Sequence, residues 1–433
     1  MTPAMSRRRV LEAGAMAAMT LAAGEDATAR ASEPVRIGVV GVGRRGTGLL
    51  GLLLGMKDVA TPALCDIDRE HLANAQAMVV RSGRPEPEGY WQSEVAFRGL
   101  MERDDLDAVI LATPWRWHTP MAVYGMQHGK YVAVEVPCAL SLEECWALVD
   151  TQEQTGAPCM MLENWSFRRD NLAVLNMIRA GLLGEIVHGH CAHSHMCIDH
   201  WFFDGEGKDR WPAEYLVKYN RDQYPTHSLG PVLSWMDINC GDRFDTVTST
   251  ATASRAINDY FARKFGKDHP NARRRYKQGD IVTSVIRTVN GKTIVVNYDM
   301  QLHRPYDNRW MIQGLQGLYD EDRAVVYLHG KSPGYDEWEP FAPYQERYDH
   351  VWWRGSAEGG AAAHGGTDYI ELRQFINAVR DRKPTPIDIY DSVTMSCLVA
   401  LSGQSIAHGS APVKCPDFTR GKWRTRKPTF AVV

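Results

Sequence analysis

The first apolar run past residue 33 is Val35-Arg36-Ile37-Gly38-Val39-Val40, β-branched and followed by glycine, which predicts a buried strand. Residues 47–56 follow as a helix, and a second strand is predicted near 62–65, ending at Asp66. Further strands are expected at 108–112 and 131–136, with helices at 121–128 and 142–155. Strand–helix alternation of this kind implies a parallel, doubly wound sheet, here a first domain over residues 33–161.

The pattern then changes. Residues 172–180 read as a helix, and alternating runs begin at 184–195 and continue at 246–255, 281–289, 293–299, 310–315 and 324–328. Asn290-Gly291 joins two of these runs with a strong hairpin signal. Helices at 369–380 and 393–408 close the chain. Residues 162–433 are thus expected to form an α+β domain with a large open, mainly antiparallel sheet. Two long aromatic-rich loops, 201–224 and 332–366, interrupt it, and loops of that length are usually functional.

Composition narrows the class. A chain of 433 residues, 44% apolar and 23% charged, suits a soluble protein of two domains. With 49 basic and 52 acidic residues the formal charge is −3, so no long-range field favours nucleic acid or an anionic membrane. The nine cysteines are scattered and form no CxxC pair, which argues against a disulfide framework or a structural zinc site. Ser6-Arg7-Arg8-Arg9 precedes a short apolar run ending at Ala23, and Ala29-Arg30-Ala31 resembles a cleavage site. Residues 1–31 therefore read as a twin-arginine export signal, handled by the Tat machinery, with the mature protein periplasmic or extracellular and not membrane-bound.

Gly41-Val42-Gly43-Arg44-Arg45-Gly46 follows the first strand and opens a helix, with Asp66 about twenty positions on, the dinucleotide-binding fingerprint. Gly41 permits the turn, Gly43 lets the backbone approach a pyrophosphate, and Gly46 allows close helix packing. Asp66 would accept from the adenosine ribose, favouring NAD over its 2′-phosphorylated form, although Arg44 and Arg45 are of a type that tolerates that phosphate.

With Ala112-Thr113-Pro114, His118 and Glu135-Val136-Pro137, this domain resembles the Gfo/Idh/MocA oxidoreductases, which join a Rossmann domain to an open-sheet domain with the nicotinamide at the junction. Typical members carry lysine as acid/base where this chain has Val136. A narrower resemblance, to glycoside hydrolase family 109, rests on Gly43-Arg44-Arg45-Gly46, the Glu135 motif, Tyr224-Pro225-Thr226-His227-Ser228-Leu229-Gly230-Pro231 and Arg304-Pro305-Tyr306. It implies a tightly bound, recycled NAD and a carbohydrate substrate, N-acetylgalactosaminides being the best known. Pro212, after Trp211, stands where the family carries a substrate-binding arginine, and His193 where it carries a tyrosine.

The resemblance implies a transient oxidation. Hydride leaves C3 of the sugar, a base takes the O3 proton, the C2 proton is then removed and the aglycone leaves C1, after which water adds and the hydride returns. His227 is the candidate base at O3. Glu135 is expected to contact a sugar hydroxyl or the cofactor, or to polarise His227. His193 and His195 share one face of a strand and, with Tyr306, are candidates for the C2 proton. The His193/His195 pair with His200 or Asp199 is also a metal-ligating pattern, but no metal is expected. Tyr224 and Trp211 are expected at the substrate; Trp201, Trp352 and Trp353 are further stacking candidates. Thr113 and His118 are expected beside the nicotinamide. Net oxidation of a sugar or 3-keto-glycoside is a second reading, and a non-catalytic sugar-binding or assembly protein that keeps its cofactor as structure is a third. The open sheet face suggests a homo-oligomer.

Overall fold

The computed structural model describes residues 33–354 and 363–432; the predicted export signal lies outside them. The first domain runs β1 (Val35–Val40), α1 (Arg44–Gly55), β2 (Val59–Cys65), α2 (Arg69–Arg81), β3 (Glu88–Tyr90), α3 (Phe97–Met101), β4 (Ala108–Leu111), α4 (His118–Gln127), β5 (Tyr131–Val134), α5 (Leu142–Thr155) and β6 (Cys159–Met161). Its six strands are parallel in the order β3-β2-β1-β4-β5-β6. Every residue of β4 is buried, as a strand covered on both faces requires. The strand order reverses between β1 and β4, so a crevice opens beyond their carboxyl ends, where α/β sheets take their ligands.

A 3₁₀ turn (Asn164–Phe167) leads into the second domain: α6 (Arg169–Arg179), β7 (Ile186–Ser194), a π turn (Ile198–Phe202), α7 (Ala213–Lys218) and α8 (Thr226–Trp235). Next come β8 (Phe244–Ala251), α9 (Ala256–Lys264), α10 (Pro270–Arg273), β9 (Val282–Thr288) and β10 (Thr293–Asp299). Then follow β11 (Met311–Gly314), β12 (Gly317–Asp320), β13 (Val325–Leu328), β14 (Glu339–Pro340), α11 (Ala342–Arg347), α12 (Thr367–Asp381), α13 (Ile389–Ala407) and β15 (Val413–Lys414). The nine-stranded sheet has the order β14-β13-β12-β11-β7-β10-β9-β8-β15 and is antiparallel except between β7 and β10.

Burial alternates along β9: Val282, Ser284, Ile286 and Thr288 face inward, while Val285 and Arg287 are exposed. This one-sided pattern suits a sheet with helices on one face only, here α8 on β7 and α13 on β8. Asn290-Gly291 makes the expected hairpin, with Gly291 at φ +88°. The expected loop 201–224 carries α7, and 332–366 carries β14 and α11, with 355–362 outside the described residues. Helix α8 has no helical signature in the sequence, since Pro231 lies inside it and lacks the N–H that a helix uses.

The two domains share a main core, and a second, smaller cluster around Phe203, Phe261 and Tyr298 lies within the second domain. The main cluster runs from Val35 to Ala431, and α12 returns to pack on α1, β1 and the 164–167 turn. Among the described residues no helix is long and apolar enough to cross a membrane.

Candidate active site

The turn after β1 is shaped by its glycines. Gly41 sits at φ +84°, and a Cβ there would fall 2.5 Å from the Ala112 carbonyl oxygen. A Cβ on Gly46 would lie 1.8 Å from the Gly41 carbonyl oxygen, so α1 can start this close only with glycine. Gly43 differs: its Cβ would meet nothing nearer than the His71 ring at 3.8 Å. That gap borders the start of α1, whose amides receive no side-chain cap. Uncapped amides beside open space are what a pyrophosphate requires. Asp66, at the end of β2, accepts from Val42 N at 2.8 Å and Asp68 N at 2.9 Å, which fixes its carboxylate beside the turn. These residues fit NAD.

Two residues of this region have partners within the protein. Arg45 does not stand ready for a 2′-phosphate; its Nε donates to Glu135 Oε1 at 2.5 Å and its Nη1 to Asp368 Oδ2 at 2.6 Å. It joins α1, the end of β5 and α12, while Arg44 beside it is exposed. His118 is buried, with Nδ1 2.8 Å from the Pro137 oxygen and Nε2 2.7 Å from the Thr113 oxygen. Both ring nitrogens serve the backbone, so His118 ties the β4 and β5 loops together and offers neither to a nicotinamide. Thr113 stays at the rim of the turn, its methyl 3.0 Å from the Cβ position of Gly41.

Beyond β6 the chain places Glu163, which is buried without exposure. Its Oε2 accepts from Nδ1 of His227, in the first turn of α8, at 2.8 Å, and its Oε1 accepts from Trp165 N at 3.1 Å. Glu163 therefore polarises His227, one of the roles open to Glu135 in the sequence; Glu135 is engaged by Arg45. A proton held on Nδ1 leaves the Nε2 lone pair as the base.

Around His227 the structure gathers most of the other candidates. The His193 ring, at the end of β7, lies 5.2 Å from His227, 5.6 Å from Tyr306 and 5.1 Å from Tyr224, centroid to centroid. Its Nδ1 is buried with no hydrogen-bond partner. Burial, reinforced by the charges of His227 and His195, pushes the His193 imidazolium well below the ordinary range, so the ring is neutral. Burial raises the phenols of Tyr224 and Tyr306, so both keep their protons at neutral pH. His195 stands 5.0 Å from Tyr306 but faces His200 as well, at 5.2 Å.

One side of this group is aromatic. Trp115 donates Nε1 to the Val136 oxygen at 3.1 Å and is ringed by Trp201, Trp211, Tyr215 and Tyr224, with centroids 5.0–5.8 Å away. Trp211 is the exposed member, at 41%, and Tyr224 links this wall to His227. Trp352 and Trp353 belong elsewhere: Trp352 stacks on Phe167, and Trp353 donates to the Phe167 carbonyl.

Sequence reasoning passed over several residues here. Glu163, Asn164 and Trp165 follow β6 directly, and their place after a parallel strand was the signal that could have found them. Trp165 packs against His227, Tyr306 and His364, with ring centroids 5.9, 5.9 and 5.4 Å away. Asp368 accepts from Asn164 Nδ2 at 2.7 Å and lies 2.9 Å from His364 Nδ1. Burial alone would raise the Asp368 carboxyl, but the His364 hydrogen bond and the Arg45 charge hold it well below the carboxylate range. His364 and Asp368 stand some 200 positions from Asn164, and no local pattern announced them.

Comparison with known proteins identifies the family. Residues 35–163 match the oxidoreductase family with an NAD-binding Rossmann fold, and residues 167–425 match the C-terminal domain of glycosyl hydrolase 109. The chain is 40% identical to an alpha-N-acetylgalactosaminidase of Tannerella forsythia, over 92% of this chain and 89% of that one. It is 38% identical to a glycosyl hydrolase family 109 protein of Stenotrophomonas maltophilia, over 99% and 98%. Among solved structures, a levoglucosan dehydrogenase in complex with NADH superposes with a TM-score of 0.68 at 17% identity, over 89% of this chain and 100% of that one, a likeness of fold. The chain therefore belongs to glycosyl hydrolase family 109, and is an NAD-dependent glycosidase built on an oxidoreductase fold.

Proposed function

We propose that the enzyme hydrolyses a hexoside, N-acetylgalactosaminides being the first class to test, by transient oxidation at C3, deprotonation at C2 and elimination at C1. The observation that carries this reading is the His227–Glu163 pair, an imidazole held by a carboxylate at Nδ1 and set among His193, Tyr306 and Tyr224.

NAD, which Gly41–Gly46 and Asp66 would hold, would supply hydride acceptance from C3 and its return, and would stay bound between turnovers. His227 Nε2 takes the O3 proton while Glu163 holds Nδ1–H and steadies the imidazolium. A carbonyl at C3 acidifies the C2 proton, and His193, beside His227 and Tyr306, is the candidate to accept it. Tyr306, keeping its proton, donates a hydrogen bond to the oxygen that gains charge. The electron pair from C2 forms the C1–C2 double bond as the aglycone leaves, and water then adds across it. Trp211 and Tyr224 offer aromatic faces to the sugar ring. Val136, buried where a lysine would carry protons in ordinary family dehydrogenases, leaves that work to these groups. The family resemblance supports N-acetylgalactosaminide as substrate, while Pro212 in place of the expected arginine points to a different set of polar contacts for the acetamido group.

The test is incubation in heavy water with a panel of aryl glycosides and no added NAD. Aglycone release with deuterium at C2 and no build-up of NADH is the expected result. An oxidised sugar with reduced cofactor, and no release, would move the assignment to net oxidation. The proposal extends to location: residues 1–31 direct Tat export with NAD already bound. An Arg7→Lys, Arg8→Lys precursor should stay in the cytoplasm, and its continued export would reject this. We further propose a homo-oligomer through the open face of the nine-stranded sheet, where Val187 and Val285 are exposed; a monomer by sedimentation would reject it.

A further inference from the structure

We propose that His195, Cys197 and His200 form a site for a thiophilic divalent transition metal, zinc in the first instance, beside the active site. One ligand atom from each lies within 4.8 Å of the other two, and no other such His, Cys, Asp or Glu group occurs among the described residues. Zinc bonds of about 2.0 Å to nitrogen and 2.3 Å to sulfur set tetrahedral ligands roughly 3.3–3.6 Å apart. Closing this set takes about 1 Å of movement, within reach of side-chain rotation.

The backbone explains the grouping. Past β7 the chain stays extended, with His195 N donating to Asp299 O and Cys197 N to Met300 O, so side chains two apart share a side. The π turn then folds the chain back. Phe202 N reaches Cys197 O and Phe203 N reaches Ile198 O, each five residues back, and His200 returns to 5.2 Å from the His195 ring. Single π turns inserted in this way recur at functional sites.

The ligand chemistry is consistent. One thiolate and two imidazoles suit zinc and leave a fourth position open. His200 Nδ1 lies 3.2 Å from Asp199 Oδ1, and an imidazole that donates to a carboxylate from one nitrogen keeps the other lone pair for a metal. Binding would release the Cys197 thiol proton to solvent. His193, which makes a metal-ligating pattern with His195 in the sequence, faces His227 and Tyr224 and is not in the set. A metal on His195 occupies its lone pair, leaving the C2 proton to His193. Among the described residues the eight other cysteines have no such partners, so their scatter, which argued against zinc, is silent about this one.

The test uses the full chain with its own NAD, stripped of metal by chelator dialysis and titrated with cobalt(II). The expected result is one equivalent of cobalt, with a thiolate-to-metal charge-transfer band in the near ultraviolet and tetrahedral bands in the visible. Cys197→Ser should abolish the charge-transfer band, and Asp199→Asn should weaken binding about 10–100-fold. NAD content and melting temperature equal to those of the unaltered chain certify that each variant is folded. Absence of the thiolate band, or unaltered cobalt binding in both Cys197→Ser and His200→Gln, would overturn the proposal. Metal content is read without activity, so the glycosidase mechanism can fail or stand separately.

Discussion

His227 and Glu163, 64 positions apart, meet at 2.8 Å because Gly230 lets α8 press against the turn after β6. A Cβ on Gly230 would lie 2.7 Å from Ser166 Oγ and 2.8 Å from Glu163 Cγ. The histidine comes from the second domain and the carboxylate from the edge of the first. The proton position on the imidazole is thus decided by how closely two elements approach, and by one residue without a side chain.

Removing the carboxylate charge at this pair should cost turnover and spare binding of NAD. We expect Glu163→Gln to lower kcat by about 10²–10⁴-fold with NAD content unchanged, since it weakens the hold on Nδ1–H. Glu135→Gln should not reproduce that loss together with intact NAD content, because Glu135 faces Arg45. Steady-state kinetics with cofactor quantitation on both variants decides the matter.

Gly230→Ala should act at one remove. The new methyl must displace Glu163 or Ser166, and overpacking of this kind costs about 1–3 kcal/mol. The expected outcome is a lower melting temperature together with a fall in kcat. A variant with reduced stability and unchanged kcat would show that the 2.8 Å contact survives the displacement.

Arg45 sits between two buried carboxylates, Glu135 and Asp368, while its own side chain is 31% exposed. Arg45→Ala leaves both acids without their cation. Breaking a fully buried pair costs about 3–5 kcal/mol, and the partial exposure places this one nearer 2 kcal/mol. Thermal unfolding of Arg45→Ala should show that loss at neutral pH. It should shrink below about pH 4, where the Asp368 carboxyl, depressed in the folded protein, no longer contributes its full stabilisation.

Glu371, on α12, is buried with both carboxyl oxygens unpartnered, facing Asp368 on its own helix, Arg45 on α1, and Glu135 and Glu163 beyond β5 and β6. Burial, then the Asp368 charge, pushes its carboxyl well up, so the folded protein holds a proton that the unfolded chain releases above about pH 4.3. Stability from this group is present below that pH and is lost as pH rises, at about 1.4 kcal/mol per unit, until the folded carboxyl itself ionises. Glu371→Gln should therefore raise the melting temperature, by a margin that grows with pH. A margin independent of pH between 5 and 8 would show that Glu371 is ionised in the folded protein.

Much of this was written in local pattern. The turn at Gly41–Gly46, the strand before it and Asp66 after it follow from short-range rules of backbone sterics and period. So do the hairpin at Asn290-Gly291 and the antiparallel strands of the second half. Errors at element ends, such as β5 stopping at Val134 before Pro137, come from hydrogen-bond partners lying outside the local window.

The sequence by itself determined the two-domain class, the dinucleotide turn and the candidates His193, His195, Tyr224, His227 and Tyr306, because each rests on neighbours in the chain or on a motif read in place. Only the tertiary structure decided their partners. Glu163 rather than Glu135 meets His227; Asp368 reaches back to Arg45; His118 is spent on two backbone carbonyls; and Cys197 joins His195 and His200 through a π turn. Hydrogen bonds and ion pairs act over about 3 Å, and which groups come within that range is set by the packing of helices and sheets distant in sequence.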